Sequence, residues 1–286
     1  MTVQQIIDGV IRKTTILPLP RHQTCDHLII GDPQMEVTGI VTTFMATVDV
    51  IRQAHALGAN FIITHEPTWF TGQDDNDTSW CAGDPVYERK RAMLEEYGIA
   101  VWRFHDHMHM DPRDGIYRGF DEQMGWAEYR MPPQADSDLF PKGAFDGCYE
   151  IPETSLEDLA KEVQEKLGMP VLRAIGDPKA KITRAAVLVG GGSLGLGVEQ
   201  MPMELMRQRD IQVALCGDIT EWTLPAYVRD AWQLGLNRSI LVLGHEKSEE
   251  PGMRHLPAWL KSITGEIPVT PVSAEEPFTY FIHTAV

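Results

Sequence analysis

Apolar residues along this chain occur in two spacings, and the switching between them predicts an alternating order of helices and strands. From Thr2 through Ile11 they recur at helical intervals, so a helix is expected over residues 2–13. Short unbroken runs follow, first His27-Leu28-Ile29-Ile30, closed by the turn Gly31-Asp32-Pro33, then Gly39 to Phe44, and both read as strands. Between Val48 and Leu57 the spacing is helical again and stops at Gly58, a residue suited to ending a helix. Phe61-Ile62-Ile63-Thr64 is another continuous run. Strand, helix and strand in that order predict a βαβ crossover with a parallel pair. A helix over 85–97, closed by Gly98, and a strand from Ile99 to Phe104 extend the alternation.

From about residue 112 to 152 the periodicity gives way to glycine, proline and acidic residues, including Pro132-Pro133 and Asp136-Ser137-Asp138. A linker or lid is expected there. Ser155-Leu156-Glu157-Asp158 then has the form of a helix start, and the helix should run to Gly168. Strands are expected at 185–189, 211–215 and 239–244, with a helix at 225–234 before the last of them. The implied division is an N-terminal α/β lobe over 1–115, a linker or lid over 116–152, and a C-terminal α/β lobe over 153–286.

Composition narrows the partners. The 286 residues are 43% hydrophobic, ample for a buried core, and 25 basic against 41 acidic residues give a net charge of −16. Such a surface repels phosphate backbones and anionic membranes, which disfavours nucleic acid as the main partner. The cysteines Cys25, Cys81, Cys148 and Cys216 form no CxxC pair, so a zinc knuckle and a dithiol redox motif are excluded. Reduced thiols in a cytoplasmic protein are expected. The N-terminal helix lacks the apolar run of a signal peptide, and no stretch approaches the roughly 20 apolar residues needed to cross a bilayer.

Candidate chemistry gathers where predicted strands stop. The strand at Phe61 ends on His65-Glu66-Pro67, and the strand at Ser239 ends on Gly244-His245, with Glu249 four residues later. In α/β proteins strand ends of this kind hold binding sites. The segment Phe104-His105-Asp106-His107-Met108-His109-Met110-Asp111 follows a third strand. Were it extended, His105, His107, His109 and Asp111 would share one face, a metal-ligand pattern; the plainer reading is a solvated polar loop or a set of core histidines. Glu249 and Glu250 also suit a helix first turn without any metal, with Ser248 as its N-cap. Asp218, in Gly217-Asp218-Ile219, either orients a ligand histidine or caps a helix. Gly190-Gly191-Gly192-Ser193-Leu194-Gly195 fits a dinucleotide-binding turn, but Pro202 and a next strand that ends on Cys216-Gly217-Asp218, with no acid placed to hold a ribose, favour a tight turn or an anion nest. Neither a Walker sequence nor a G-x-S-x-G elbow is present.

Taken together, these segments resemble the Nif-three-like dinuclear metal proteins, also called GTP cyclohydrolase I type 2 homologs. The family pattern IITHHP falls on Ile62-Ile63-Thr64-His65-Glu66-Pro67, its GDP turn on Gly31-Asp32-Pro33, and its HTNLD segment on residues 105–109. Its GD-I element falls on Gly217-Asp218-Ile219 and its GH-x-x-S-E on residues 244–249. By position the resemblance implies the metal ligands His65, Glu66, His109, His245 and Glu249. Two depart from the pattern: Glu66 stands where the family has histidine, and His109 where it has aspartate. The exchange leaves three imidazoles and two carboxylates, a mixed N/O set suited to zinc, iron, manganese or nickel.

The resemblance further implies an α/β fold of two interlinked lobes with mixed and parallel sheets and the metal site between them. It implies two divalent ions per chain and a ring-shaped homo-oligomer, a hexamer being one option. The expected activity is metal-dependent hydrolysis of an amide, a phosphoester or a ring C–N bond in a small-molecule substrate, with His105, His107 and Glu246 as candidates for acid/base roles. The competing class is a non-enzymatic metal-binding scaffold or interaction protein.

Overall fold

The computed structural model describes residues 1–14, 17–72, 78–134, 139 and 146–281. It is a mixed α/β chain with two five-stranded sheets, and it divides into two compact units. The first comprises Met1–Gly119 and Gly252–Ala274, the second Phe120–Pro251 and Glu275–Val286.

In the first unit the strands β1 (Leu28–Ile30), β2 (Ile40–Thr43), β3 (Phe61–Thr64), β4 (Ala100–Arg103) and a late strand at Val269–Pro271 lie in the order β1-β4-β3-β2-late strand. Every pairing is parallel except β1 with β4. All residues of β2, β3 and β4 are buried, which is why they read as continuous apolar runs. Phe61, Ile62 and Ile63 are fully buried, each worth about 1.5–3 kcal/mol of transfer free energy. The crossover helix α2 (Val48–Ala56) is capped by Thr47 and joins β2 to β3 in the predicted βαβ unit. Helix α3 (Pro85–Tyr97), capped by Asp84 and closed by Gly98, packs against it, and the unit also holds α1 (Val3–Lys13), capped by Thr2, and the short α4 (Asp106–Met110).

The second unit holds β5 (Cys148–Ser155), β6 (Arg173–Ile175), β7 (Lys181–Leu188), β8 (Val213–Cys216) and β9 (Ser239–Val242), ordered β5-β7-β8-β9-β6. The central three are parallel, and the two edge strands run antiparallel to them. Helix α6 (Leu156–Leu167) starts on Ser155, whose Oγ accepts the Asp158 N–H at 3.1 Å, and ends at Gly168. Helices α7 (Met201–Gln208) and α8 (Leu224–Gln233) connect the parallel strands, each with a proline in its first turn, where the missing N–H costs nothing. Leu188, Leu205, Met206, Ala214, Val228 and Ile240 belong to one buried cluster.

The stretch expected to be a linker contains regular structure. Helix α5 (Gly115–Met124) carries Ile116, Phe120 and Met124 at four-residue intervals, all essentially buried, a stripe hidden by the surrounding glycines and charges. β5 begins at Cys148, inside the same stretch. Asp136-Ser137-Asp138 lies outside the described residues. The expected C-terminal lobe of 153–286 differs too: Gly252–Ala274 belongs to the first unit, because the strand Val269–Pro271, β10, pairs in parallel with β2. Helix α9 (His245–Thr264) thus supplies residues to both units. Among the described residues no helix is long and apolar enough to cross a membrane, and all four cysteines are free thiols.

Candidate metal centre

In the first unit, candidate ligands collect beyond the C-terminal ends of the parallel strands β3 and β4. His65 is fully buried, and its N–H donates to Thr43 O and Phe44 O at 3.2 and 3.1 Å, which fixes the chain as it leaves the sheet. Its Nδ1 lies 3.2 Å from Phe104 O. A carbonyl only accepts, so Nδ1 carries the proton and Nε2 is the lone-pair nitrogen. Burial, reinforced by His105 and His109, holds its pKa well below the usual imidazole value, so the ring is neutral, the form that binds cations.

The histidine-rich segment is not extended. It forms α4, and the cause is Asp26: its Oδ1 accepts the N–H groups of His105 and Asp106 at 2.7 and 2.8 Å, and its Oδ2 accepts that of His107 at 2.9 Å. A carboxylate from a distant part of the chain thus serves as the cap for a helix N-terminus. Helical spacing places His105 and His109 together and turns His107 away. The His65 and His105 rings stack at 4.6 Å between centroids, and His109 meets them edge-on at 5.0 and 4.9 Å. One nitrogen from each of the three lies within 4.8 Å of the others. His107 is committed elsewhere, with Nδ1 2.6 Å from Asp26 Oδ2 and Nε2 accepting the Leu19 N–H at 3.1 Å. Asp111 is buried, but its Oδ1 accepts the Arg113 N–H and it lines a separate small cavity with Thr14, Arg118 and Trp259.

His109 repeats the arrangement of His65, its Nδ1 standing 3.0 Å from Asp114 Oδ2. The other oxygen of Asp114 accepts the N–H groups of Ile116 and Tyr117, so one side chain caps α5 and orients the imidazole. Glu66 pairs with Arg103, Nη2 to Oε2 at 3.0 Å, while its Oε1 lies 3.8 Å from His105 Nε2. Arg103 also donates to His65 O and Gly72 O, each at 3.2 Å. The guanidinium therefore clamps the backbone before Glu66 and one of its oxygens, aiming the other at the imidazoles. Nearby, Cys25 N–H donates to Asp106 Oδ2 at 2.8 Å, and burial pushes the Cys25 thiol up to about 12.

In the second unit the corresponding place is the end of β9. Gly244, at φ +85°, turns the strand into α9, which begins at His245 and not, as the sequence suggested, after Ser248. Ser248 lies within the first turn, donating to His245 O at 2.7 Å and accepting the Gly190 N–H at 2.9 Å. The i, i+4 spacing on α9 brings His245 Nε2 to 3.2 Å from Glu249 Oε2. His245 Nδ1 stands 2.8 Å from Asp218 Oδ2, so the ring is held between two carboxylates and Asp218 orients it toward Glu249. Of the two roles considered for Asp218, the geometry selects this one.

The glycine run has a role in the same corner. Gly190 sits at φ +49°, and a Cβ there would stand 2.1 Å from Glu249 Oε1 and 2.7 Å from His245 Nε2. Gly217 packs on it in turn, its own Cβ position 2.4 Å from Gly190 O. The run forms a short 3-10 turn, Gly190–Leu194, in which the Gly190 N–H meets Ser248 and those of Gly192 and Gly195 meet Val189 O and Gly192 O. These three donors are spent within the fold and not on a phosphate. The tight-turn reading holds, and its purpose is backbone approach to His245 and Glu249.

Glu246 occupies the neighbouring face of α9 with Glu250, both buried and each 3.4 Å from Lys247 Nζ. Burial, then the charge of Glu250, raises its pKa to about 7. Asp26, Asp114 and Arg103 were missed in the sequence. Asp114 was legible as an Asp just before a helical stripe; Asp26 and Arg103 carry no local signal.

Comparison with known proteins agrees in extent with this architecture. A model of the Duf34/NIF3 (NGG1p interacting factor 3) family matches residues 1–277. A protein of Clostridium acetobutylicum named GTP cyclohydrolase 1 type 2 homolog is 26% identical over 226 residues, covering 79% of this chain and 77% of its own. Among solved structures, a Staphylococcus aureus hypothetical protein, SA1388, superposes with a TM-score of 0.71 at 22% identity, covering 98% of this chain and 99% of its own. A Bacillus cereus protein related to NIF3 gives 0.71 at 16% identity, covering 98% and 99%. At such identities these two structures speak for the fold.

Proposed function

The chain belongs to the Duf34/NIF3 family, and from that premise we propose that it binds two divalent metal ions through His65, Glu66, His109, His245 and Glu249 and acts as a metal-dependent hydrolase. The observation that carries this reading is shared by His65, His109 and His245. Each holds its Nδ1 against an oxygen acceptor, Phe104 O, Asp114 Oδ2 and Asp218 Oδ2 respectively, the support that lets Nε2 offer its lone pair to a cation. This is the second-sphere support that metal-ligating imidazoles need; His107 has the same pairing, with Asp26, but spends its Nε2 on the Leu19 N–H. The Gly190 backbone, which leaves no room for a Cβ beside His245 and Glu249, fits the same purpose. Three imidazoles and two carboxylates suit zinc, iron, manganese or nickel better than calcium.

Bound divalent ions of this kind lower the pKa of a coordinated water toward neutrality and polarise an electrophilic oxygen, the chemistry needed to hydrolyse an amide, a phosphoester or a ring C–N bond. The chain's own residues define the surroundings. Arg103 holds Glu66 in place, and Asp218 and Asp114 keep the imidazoles in one tautomer. His105, with Nδ1 on Asp106 and Nε2 toward Glu66 Oε1, is the residue placed to move a proton beside the ligands. His107 has both nitrogens engaged and is withdrawn from that role.

Metal analysis of protein purified without chelator tests the binding half of this proposal. Two equivalents of a transition metal are expected, falling in Glu66→Ala and His245→Ala. A screen of generic esters, amides and phosphoesters with and without metal tests the hydrolase half. Chelation that lowers the melting temperature while no substrate shows metal-dependent turnover assigns the metals a scaffolding role instead. Homo-oligomerisation, which the family resemblance implies, is checked by light scattering of the metal-loaded protein.

A further inference from the structure

His105 belongs to a second cluster besides the imidazole group. One ligand atom each from Cys25, His105 and Asp106 lies within 4.8 Å of the others. The two faces of the ring nitrogens are distinct: Nδ1 is 2.9 Å from Asp106 Oδ1, whereas Nε2 points toward Glu66 Oε1 at 3.8 Å. One imidazole therefore stands between a group of nitrogen and carboxylate donors on one side and a group containing sulfur on the other.

Exposure also differs along this line. His65 is fully buried and the Glu66 side chain 13% exposed, while the side chains of His105 and Asp106 are 26% and 28% exposed and Cys25 is partly exposed. The remaining cysteines, Cys81, Cys148 and Cys216, are buried. Cys25 is thus the one cysteine that is not fully buried, and it is the one with an imidazole and a carboxylate beside it.

We propose that Cys25, His105 and Asp106 form a separate cation site, selective for thiophilic divalent ions such as zinc or cadmium, that shares His105 with the imidazole cluster. A thiolate with an imidazole and a carboxylate is a donor set that borderline and soft cations favour, and it leaves a coordination position open to solvent. On binding, the Cys25 S–H bond breaks, a sulfur–metal bond forms, and the proton leaves to the buffer. His105 Nδ1 and an Asp106 oxygen exchange their mutual hydrogen bond for the cation. An ion held there is one imidazole ring away from His65 and His109.

The test is a cadmium titration of the chelated full-length protein, read by the ultraviolet sulfur-to-metal charge-transfer band. The wild type is expected to develop the band to a plateau whose amplitude corresponds to one thiolate-bound ion per chain, and Cys25→Ser to lose it while retaining its circular dichroism spectrum. Alkylation of Cys25 by iodoacetamide gives a second measure that needs no variant. Zinc at ten times its dissociation constant should slow it about 11-fold, following 1 + [L]/Kd. A wild type with no band, a band that persists in Cys25→Ser, or alkylation unaffected by zinc would overturn the proposal. His245→Ala keeps this inference separable from the proposed function. There the band should remain while the metal content falls, and unchanged metal content with an intact band would count against the family ligand set alone.

Discussion

Replacing Gly190 with alanine should damage metal binding through geometry alone. The added methyl would stand 2.1 Å from Glu249 Oε1, 2.9 Å from Glu249 Cδ and 2.7 Å from His245 Nε2. Ordinary contacts require about 1 Å more, so both side chains must shift by roughly that distance in a region with little free volume. Backbone strain adds to this: Gly190 sits at φ +49°, where alanine costs roughly 1–2 kcal/mol. The sum predicts a loss of about 1–3 kcal/mol in chelated protein, seen as a melting temperature lowered by roughly 3–10 °C for a chain of this size. Metal affinity should fall by about 100-fold or more, since misplacing partners of ligands already costs 10–100-fold. Isothermal titration with zinc gives the affinity, and thermal melting with and without chelator gives the stability. Gly191→Ala is the control, because a Cβ at Gly191 meets nothing within 4 Å. Equal zinc affinity in the two variants would refute the argument. It would mean that Gly190 serves the turn and not the His245–Glu249 corner.

Asp218→Asn should lower zinc affinity by about 10–100-fold with little effect on the melting of chelated protein, because the amide can present its N–H to His245 Nδ1 and draw the proton to Nε2; competition with a chromophoric chelator measures this. Glu66→His, which places the family's residue in the chain, should destabilise chelated protein by about 2–4 kcal/mol by taking the carboxylate from the buried Arg103 guanidinium. Urea unfolding reads this, and an unchanged midpoint would show that Arg103 does not depend on Glu66. Burial raises the Asp121 carboxyl above its ordinary value of 3.8, opposed by the Tyr149 hydroxyl and Arg130. Its contribution to stability is therefore fully present below the unfolded value and lost as pH rises through the raised folded value. Asp121→Asn should gain stability relative to wild type across that rise, and parallel melting curves from pH 3.8 upward would contradict the assignment.

Much of the fold was legible because the signals that set it are local. The runs at Phe61–Thr64 and Ser239–Val242 are continuous because both faces of a parallel strand are covered, and Gly58, Gly98 and Gly168 close the helices α2, α3 and α6. Strand ends also marked His65, Glu66, His245 and Glu249. The stripe of Ile116, Phe120 and Met124 was present in the sequence too, but glycine and charge between its members obscured it.

The sequence by itself determined the order of elements and which residue types stand at the ends of the parallel strands, since hydrophobic periodicity and turn chemistry act within a few residues. Only the tertiary structure decided how those residues are used. Whether residues 105–111 formed a strand or a helix depended on Asp26, 80 positions from Asp106, whose carboxylate satisfies the N–H groups of α4. That choice put His105 and His109 together and removed His107. The proton positions on His65, His109 and His245 depended likewise on oxygens supplied by Phe104, Asp114 and Asp218. A carboxylate or carbonyl orients an imidazole only at hydrogen-bond distance, and for His65 and His245 the fold alone brings in partners 39 and 27 residues away, to 3.2 and 2.8 Å.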